Sequence, residues 1–222
     1  DLDDTLYDEK TFVQSGFRAV ADYLVPILSV PKQEILNGLE EELQRKRDQV
    51  FDRFLLRYRE NNRTLVKNCV SIYRGHEPAL SLYPAARACL ARLHNYPIYI
   101  VTDGNHIVQR KKFHSLGLDL LVRRCFFTYA HGLQRGKPSP YCFEKICDLE
   151  KVPPSSVVYI GDNPHKDFVG IKPLGFKTIR VSTGPYKDDQ VAPSYNAHVT
   201  IENLHHLDEK LLEGLGICKR FR

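Results

Sequence analysis

Val157-Val158-Tyr159-Ile160-Gly161-Asp162-Asn163-Pro164-His165-Lys166-Asp167 is the stretch from which the fold is read. Its first four residues are apolar and mostly β-branched, with no polar break, as a strand buried on both faces requires. Gly161 ends the run and two carboxylates follow, Asp162 and Asp167. A strand that delivers carboxylates at its carboxyl end fits an open parallel sheet, where ligands bind at that edge.

Working outward, Ile98 to Thr102, Cys125 to Thr128, Lys177 to Val181 and His198 to Ile201 are further short apolar runs. Helical stretches separate them, among them Asn105 to Leu116 and Ser139 to Glu150. Alternating strand and helix predicts an α/β fold with a doubly wound, Rossmann-like parallel sheet. Residues 9 to 79 have a different texture. Val13, Phe17, Val20, Leu24 and Ile27 step by three and four, as an amphipathic helix does. Leu36, Leu39, Leu43, Val50, Phe54 and Tyr58 continue that period as one longer segment, and Leu65, Val66, Cys69, Val70 and Tyr73 form a third. The expected layout is a core of residues 1–8 plus 80–222, with an inserted all-helical domain at 9–79.

The chain has 222 residues, 42% hydrophobic and 27% charged, which suits a folded domain large enough to bury a core. A net charge of +5, from 32 Lys+Arg against 27 Asp+Glu, favours small anionic partners and is too slight and scattered for nucleic acid. Arg45-Lys46-Arg47 beside Glu40, Glu41, Glu42 and Asp48 reads as a solvated helix face. No apolar run approaches the roughly 20 residues of a membrane span, and no signal peptide is visible. The six cysteines, Cys69, Cys89, Cys125, Cys142, Cys147 and Cys218, have irregular spacing and predict reduced, buried thiols in a cytoplasmic protein. Nothing in the sequence indicates an oligomeric state. Met is absent, where about four or five are usual for this length, and a motif begins at Asp1. The expectation is a further N-terminal segment carrying the strand that leads into Asp1, with modified methionines also beyond the residues given.

Four segments hold the chemistry. Asp1-Leu2-Asp3-Asp4-Thr5 places carboxylates at i and i+2, on one side of the chain if it is extended. Tyr99-Ile100-Val101-Thr102-Asp103-Gly104-Asn105 ends an apolar strand in a hydroxyl at a glycine turn. Gly136-Lys137-Pro138 offers a cation in a loop, and the opening stretch adds Asp162 and Asp167. One site is expected to collect Asp1, Asp3, Thr102, Lys137, Asp162 and Asp167. Carboxylates so crowded repel unless a divalent cation and the Lys137 ammonium offset them. Oxygen ligands without sulfur favour Mg²⁺. A carboxylate in such a site can attack phosphorus and form an aspartyl-phosphate.

This set, in this order, resembles the haloacid dehalogenase superfamily: the aspartate pair, the Thr, the Lys before Pro and the Gly-Asp-x-x-x-x-Asp stretch all occur. The resemblance spans essentially the whole chain, with 9–79 looking like the family's bundle-type cap. It implies a phosphatase acting on a small phosphorylated metabolite, with Asp1 as nucleophile and Asp3 as general acid/base. It further implies that Thr102, with the backbone of Asp103 and Gly104, binds phosphate, and that Lys137 pairs with nucleophile and phosphate. The metal set it implies is Asp1, the Asp3 backbone carbonyl and Asp162, with Asp167 in the surrounding shell. His76-Glu77-Pro78, Leu82-Tyr83-Pro84, Thr102-Asp103-Gly104 and Gly161-Asp162-Asn163-Pro164 look like the branch of flavin-pathway and nucleotide monophosphatases. A phosphomutase, a 2-haloacid dehalogenase and a non-catalytic phosphate-binding module remain alternatives, although Asp3 has no task in a dehalogenase.

Other residues have plainer readings. His94, His114, His205 and His206 read as surface groups, while His76 and His165 fall nearer the expected cleft, with His165 a candidate phosphate neighbour. Tyr7 is a candidate substrate-facing residue, and Phe12 reads as core of the helical domain. Arg45, Arg53, Arg57 and Arg59 read as solvated, with recognition of a second substrate charge as the alternative.

Overall fold

The computed structural model describes residues 1–60 and 62–217. Cys218 lies outside the described residues. By internal packing the chain divides into two units, Lys10–Ala79 on one hand and Asp1–Glu9 with the chain from Leu80 onward on the other.

In the helical unit α1 (Glu9–Leu28), α2 (Lys32–Arg45), α3 (Val50–Leu56) and α4 (Arg63–Gly75) follow one another. Phe12, Val13, Phe17, Val20 and Leu24 bury one stripe of α1. Val13, Phe17, Val20 and Leu24 pack with Ile35, Leu39, Phe51, Phe54, Leu65 and Cys69 in a shared core. Each large side chain so buried contributes about 1.5–3 kcal/mol. Gly16 fits the helix crossing because an added Cβ would overlap the Tyr73 ring. Asn62 caps α4 by accepting from Thr64 N and Leu65 N. Phe12 is core, as its sequence context suggested, and packs on Tyr73 and His76. His76 is bonded within this unit, to Ser15 Oγ at 2.7 Å and the Tyr73 carbonyl at 2.6 Å.

Two expectations for this unit fail. The period running from Leu36 to Tyr58 is two helices, not one: Gln49 stands between them at φ 51, a left-handed conformation that no helix passes through. Glu42 is also not part of a solvated face. It is 1% exposed and accepts from Arg53 Nε at 2.9 Å and Arg57 Nε at 2.8 Å. Arg53 and Arg57 are therefore committed to an internal ion-pair network, which their spacing along the chain did not reveal.

The second unit carries α5 (Pro84–Arg92), β1 (Tyr99–Thr102), α6 (His106–Ser115), β2 (Arg124–Phe127), α7 (Tyr141–Glu150), β3 (Val158–Gly161), β4 (Lys177–Val181), β5 (Val199–Ile201) and α8 (Glu209–Gly214). The alternation of strand and helix is the α/β pattern expected, and every described strand pairing is parallel. Val101, Phe126 and Tyr159 from the strands meet Phe143, Ile146 and Cys147 of α7 and the loop residues Phe168 and Phe176 in one core. The described strands form two sheets, β1-β2 and β3-β4-β5, where one was expected. Residues of β1 and β3 both line an apolar cavity of about 440 Å³, and no ladder joins these two strands. Beyond Asp3 the first segment does not continue as a strand. It turns, with Asp4 at φ 55, Leu6 N bonded to Leu2 O at 3.0 Å and a single bridge between Asp3 and Tyr7.

Candidate active site

Polar residues gather at the carboxyl ends of β1 and β3. Thr102 is the last residue of β1, and Asp162 directly follows Gly161, the last of β3. Asp1 is set beside them because its backbone nitrogen donates to Ile160 O at 2.9 Å. The turn from Asp162 to Asp167 closes on itself: Asn163 N donates to Asp167 Oδ2 and Asp167 N to Asn163 O, each at 3.0 Å. Gly161 permits this, since a Cβ there would overlap Asp167 Oδ2. Gly170 is needed for a similar reason, because a Cβ would strike the Pro138 carbonyl of the lysine loop.

Lys137 is the hub. Its buried ammonium donates to Asp1 Oδ1 at 2.8 Å and Tyr159 Oη at 2.9 Å, and stands 2.7 Å from Asp167 Oδ1. The last contact is an ion pair off the hydrogen-bonding direction, so Asp167 Oδ1 has no hydrogen bond. Burial works to lower the Lys137 pKa, but Asp167 and the other negative groups around it carry it above the usual value. The Asp103 carboxylate acts as a clamp on the loops around this hub. It accepts from Thr128 Oγ1 at 2.7 Å, the Lys137 backbone N at 3.0 Å and Lys166 Nζ at 3.4 Å. Gly104, at φ 121, lets the backbone after Thr102 turn toward α6.

Oxygens of Asp1, Asp162 and Asp167 lie within 4.8 Å of one another. Burial, then the nearby Asp167 and Asp4, push the Asp162 carboxyl up to about 7. Three carboxylates against one ammonium leave negative charge that a divalent cation would offset. The all-oxygen donor set fits Mg²⁺.

Asp3 stands in different company. Its Oδ1 accepts from Tyr7 Oη at 2.6 Å and Lys112 Nζ at 2.7 Å, and its Oδ2 from Gln109 Nε2 at 2.7 Å. Burial raises its pKa, but Lys112, with Tyr7 and Gln109, prevails and holds it below the usual carboxylate value. Tyr7 is fully buried and spends its hydroxyl on Asp3, so it does not face substrate. His165 is turned to Asp189, at 2.8 Å, and meets the Tyr186 ring edge to face.

Sequence reasoning missed Tyr159, Gln109, Lys112, Lys166 and Gly170. A usable signal existed for two of them. Gln109 and Lys112 fall with Val108 and Phe113 on the buried face of α6, where an amphipathic helix has apolar residues.

A family model described as haloacid dehalogenase-like hydrolase matches residues 1–175. A glyceraldehyde 3-phosphate phosphatase of Pyrococcus furiosus is 27% identical over 221 residues, covering 95% of this chain and 90% of that protein. Among solved structures, a phosphatase of the same superfamily from Thermococcus onnurineus superposes with a TM-score of 0.62 at 22% identity, covering 99% and 97% of the two chains. A 2-haloacid dehalogenase from Pseudomonas syringae pv. tomato superposes with a TM-score of 0.65 at 22% identity, covering 96% of each. At such identity these two structures speak for the fold alone.

Proposed function

As the chain belongs to the haloacid dehalogenase-like hydrolase family, we propose that it hydrolyses the phosphate monoester of a small metabolite through an aspartyl-phosphate on Asp1. The observation that carries the reading is the Asp1 carboxylate bonded to Lys137 at 2.8 Å and grouped with Asp162 and Asp167. Pairing with Lys137 sets a positive charge against the Asp1 carboxylate and aims its oxygen by a fixed donor.

In the first step Asp1 attacks phosphorus and the bond from phosphorus to the ester oxygen breaks. Lys137 offsets charge on the transferring group, and the Thr102 hydroxyl with the backbone after it binds the phosphoryl oxygens. Asp3 protonates the departing oxygen, and the approaching phosphate dianion favours the protonated form it needs. Asp3 then takes a proton from the water that attacks phosphorus, which frees phosphate and restores Asp1. Asp1, Asp162, Asp167 and the Asp3 carbonyl oxygen would hold Mg²⁺, which supplies further neutralisation of the phosphoryl charge. The helical unit, Lys10–Ala79, is assigned the role of choosing the leaving group.

The cellular setting assigned is the cytoplasm. It is supported by the five described cysteines being free thiols. Phosphate release should be assayed on para-nitrophenyl phosphate and a panel of metabolite phosphates that includes glyceraldehyde 3-phosphate, with Mg²⁺ and with EDTA. Turnover that needs Mg²⁺ and disappears in Asp1→Asn is expected. Turnover that survives in Asp1→Asn refutes the reading.

A further inference from the structure

The helix after Thr102 buries two polar side chains that the reaction scheme leaves without a task. Gln109 is 2% exposed and Lys112 is 3% exposed. They stand three apart on α6 and so share a face. Burying an amide and an ammonium in a helix face is costly unless each finds partners. Both find the same one, Asp3.

The partner chemistry fixes how Gln109 is used. The Asp3 carboxylate only accepts, so the amide nitrogen of Gln109 must face it. That nitrogen has two hydrogens. One goes to Asp3 Oδ2 at 2.7 Å and the other to Thr102 Oγ1 at 2.6 Å. Thr102 therefore accepts from Gln109, and its own hydroxyl hydrogen is left to donate elsewhere. Lys112 Nζ completes the arrangement at Asp3 Oδ1, 2.7 Å away, and reaches Glu9 Oε1 at 3.3 Å. Gly104 lies against Gln109, since a Cβ there would meet the amide group at 3.4 Å.

We propose that Gln109, seconded by Lys112, is a positioning residue that fixes the Asp3 carboxylate and ties it to the phosphate-binding hydroxyl of Thr102. Its effect passes through Asp3, the group that handles the proton. This inference rests on the phosphatase reading, in which Asp3 protonates the leaving oxygen. An alkyl phosphate departs as a strongly basic alkoxide and needs that proton, whereas para-nitrophenolate leaves without it. Misplacing Asp3 must therefore harm the alkyl ester more.

The test compares kcat/KM for an alkyl phosphate and para-nitrophenyl phosphate in wild type, Gln109→Leu, Asp3→Asn and the double variant, all in the presence of Mg²⁺. Gln109→Glu, which keeps the shape and loses the donors, serves as a second variant should Gln109→Leu fold poorly. Gln109→Leu is expected to lose about tenfold or more on the alkyl ester relative to its loss on the aryl one. In the Asp3→Asn background the same substitution should change the aryl rate less than twofold, because residues acting through one another are not additive. Equal losses on both esters, or a full loss persisting in Asp3→Asn, overturn the assignment while leaving the phosphatase reading intact. A wild type that turns over neither ester overturns both.

Discussion

Lys137 shows how few side chains the chemistry needs. One ammonium serves Asp1, Asp167 and Tyr159, so its removal exposes two buried carboxylates to each other at once. Lys137→Met is expected to lower kcat by at least about a hundredfold, a loss typical of removing one charge stabiliser from a reaction site. Steady-state assay with circular dichroism as a check on folding measures it, and a loss under tenfold would contradict the role. Asp162 gives a pH prediction. Its folded pKa is raised to about 7, above the ordinary value of about 3.9. The folded protein then holds that proton more tightly than the unfolded chain does. Without metal, this group makes stability fall as pH rises between those two values. Mg²⁺ competes with the same proton, so the rise in Tm on adding Mg²⁺ should be larger near pH 8 than near pH 5.5. Equal rises at both would show that Asp162 does not ligate the ion. Thr102, Lys137 and Asp162 were legible because each ends or follows a recognisable strand or glycine turn, and Asp1 because a second carboxylate stands two residues on. Tyr159 was not, since within an apolar strand a tyrosine reads as packing until its hydroxyl is seen on Lys137.

Among the elements, the α2–α3 pair depends on one buried acid. Glu42 is contacted by Arg45, Arg53 and Arg57, and these hydrogen bonds hold it below the usual carboxylate value against burial, which raises it. Glu42→Gln is expected to cost about 2–4 kcal/mol of stability, near the range for breaking a buried pair and reduced because the arginines keep some solvent contact. Chemical denaturation measures it, and a change under about 0.5 kcal/mol would mark the network as ornamental. Where β3 ends, Gly161→Ala should push Asp167 out of place, because the new Cβ overlaps its Oδ2. The expected result is weaker Mg²⁺ binding by calorimetry in a protein that still folds. Unchanged affinity would contradict the placement of Asp167 beside the ion. The periodicity of apolar residues revealed that 9–79 is helical, and it failed at Gln49. The break there runs from the extended Lys46 to the left-handed Gln49, and neither conformation leaves a mark on apolar spacing. Strand positions were legible within a residue or two, for the reason that β-branched runs bounded by glycine and polar residues have few other uses.

For the molecule as a whole, the order of motifs along the chain carried more than any one of them. Asp1, Thr102, Lys137 and Asp162 are far apart in sequence, and parallel strands bring their carboxyl ends to one edge. That β1-β2 and β3-β4-β5 form separate sheets was not legible, because which strand edges meet does not follow from the composition of either strand. Which side chains of the helical unit would meet a substrate was equally closed to sequence reading, since periodicity tells only which of them are buried in it. The central claim is that Asp1 carries the phosphoryl group. It is tested most directly by quenching the protein during turnover of para-nitrophenyl phosphate with Mg²⁺ present, reducing with borohydride and sequencing the peptides by mass spectrometry. An acyl phosphate on Asp1 is reduced to homoserine, so homoserine is predicted in place of Asp1 and to be lost when Lys137 is replaced by Met. Homoserine at another aspartate, or an intact Asp1 in a sample shown to be turning over, would contradict the account.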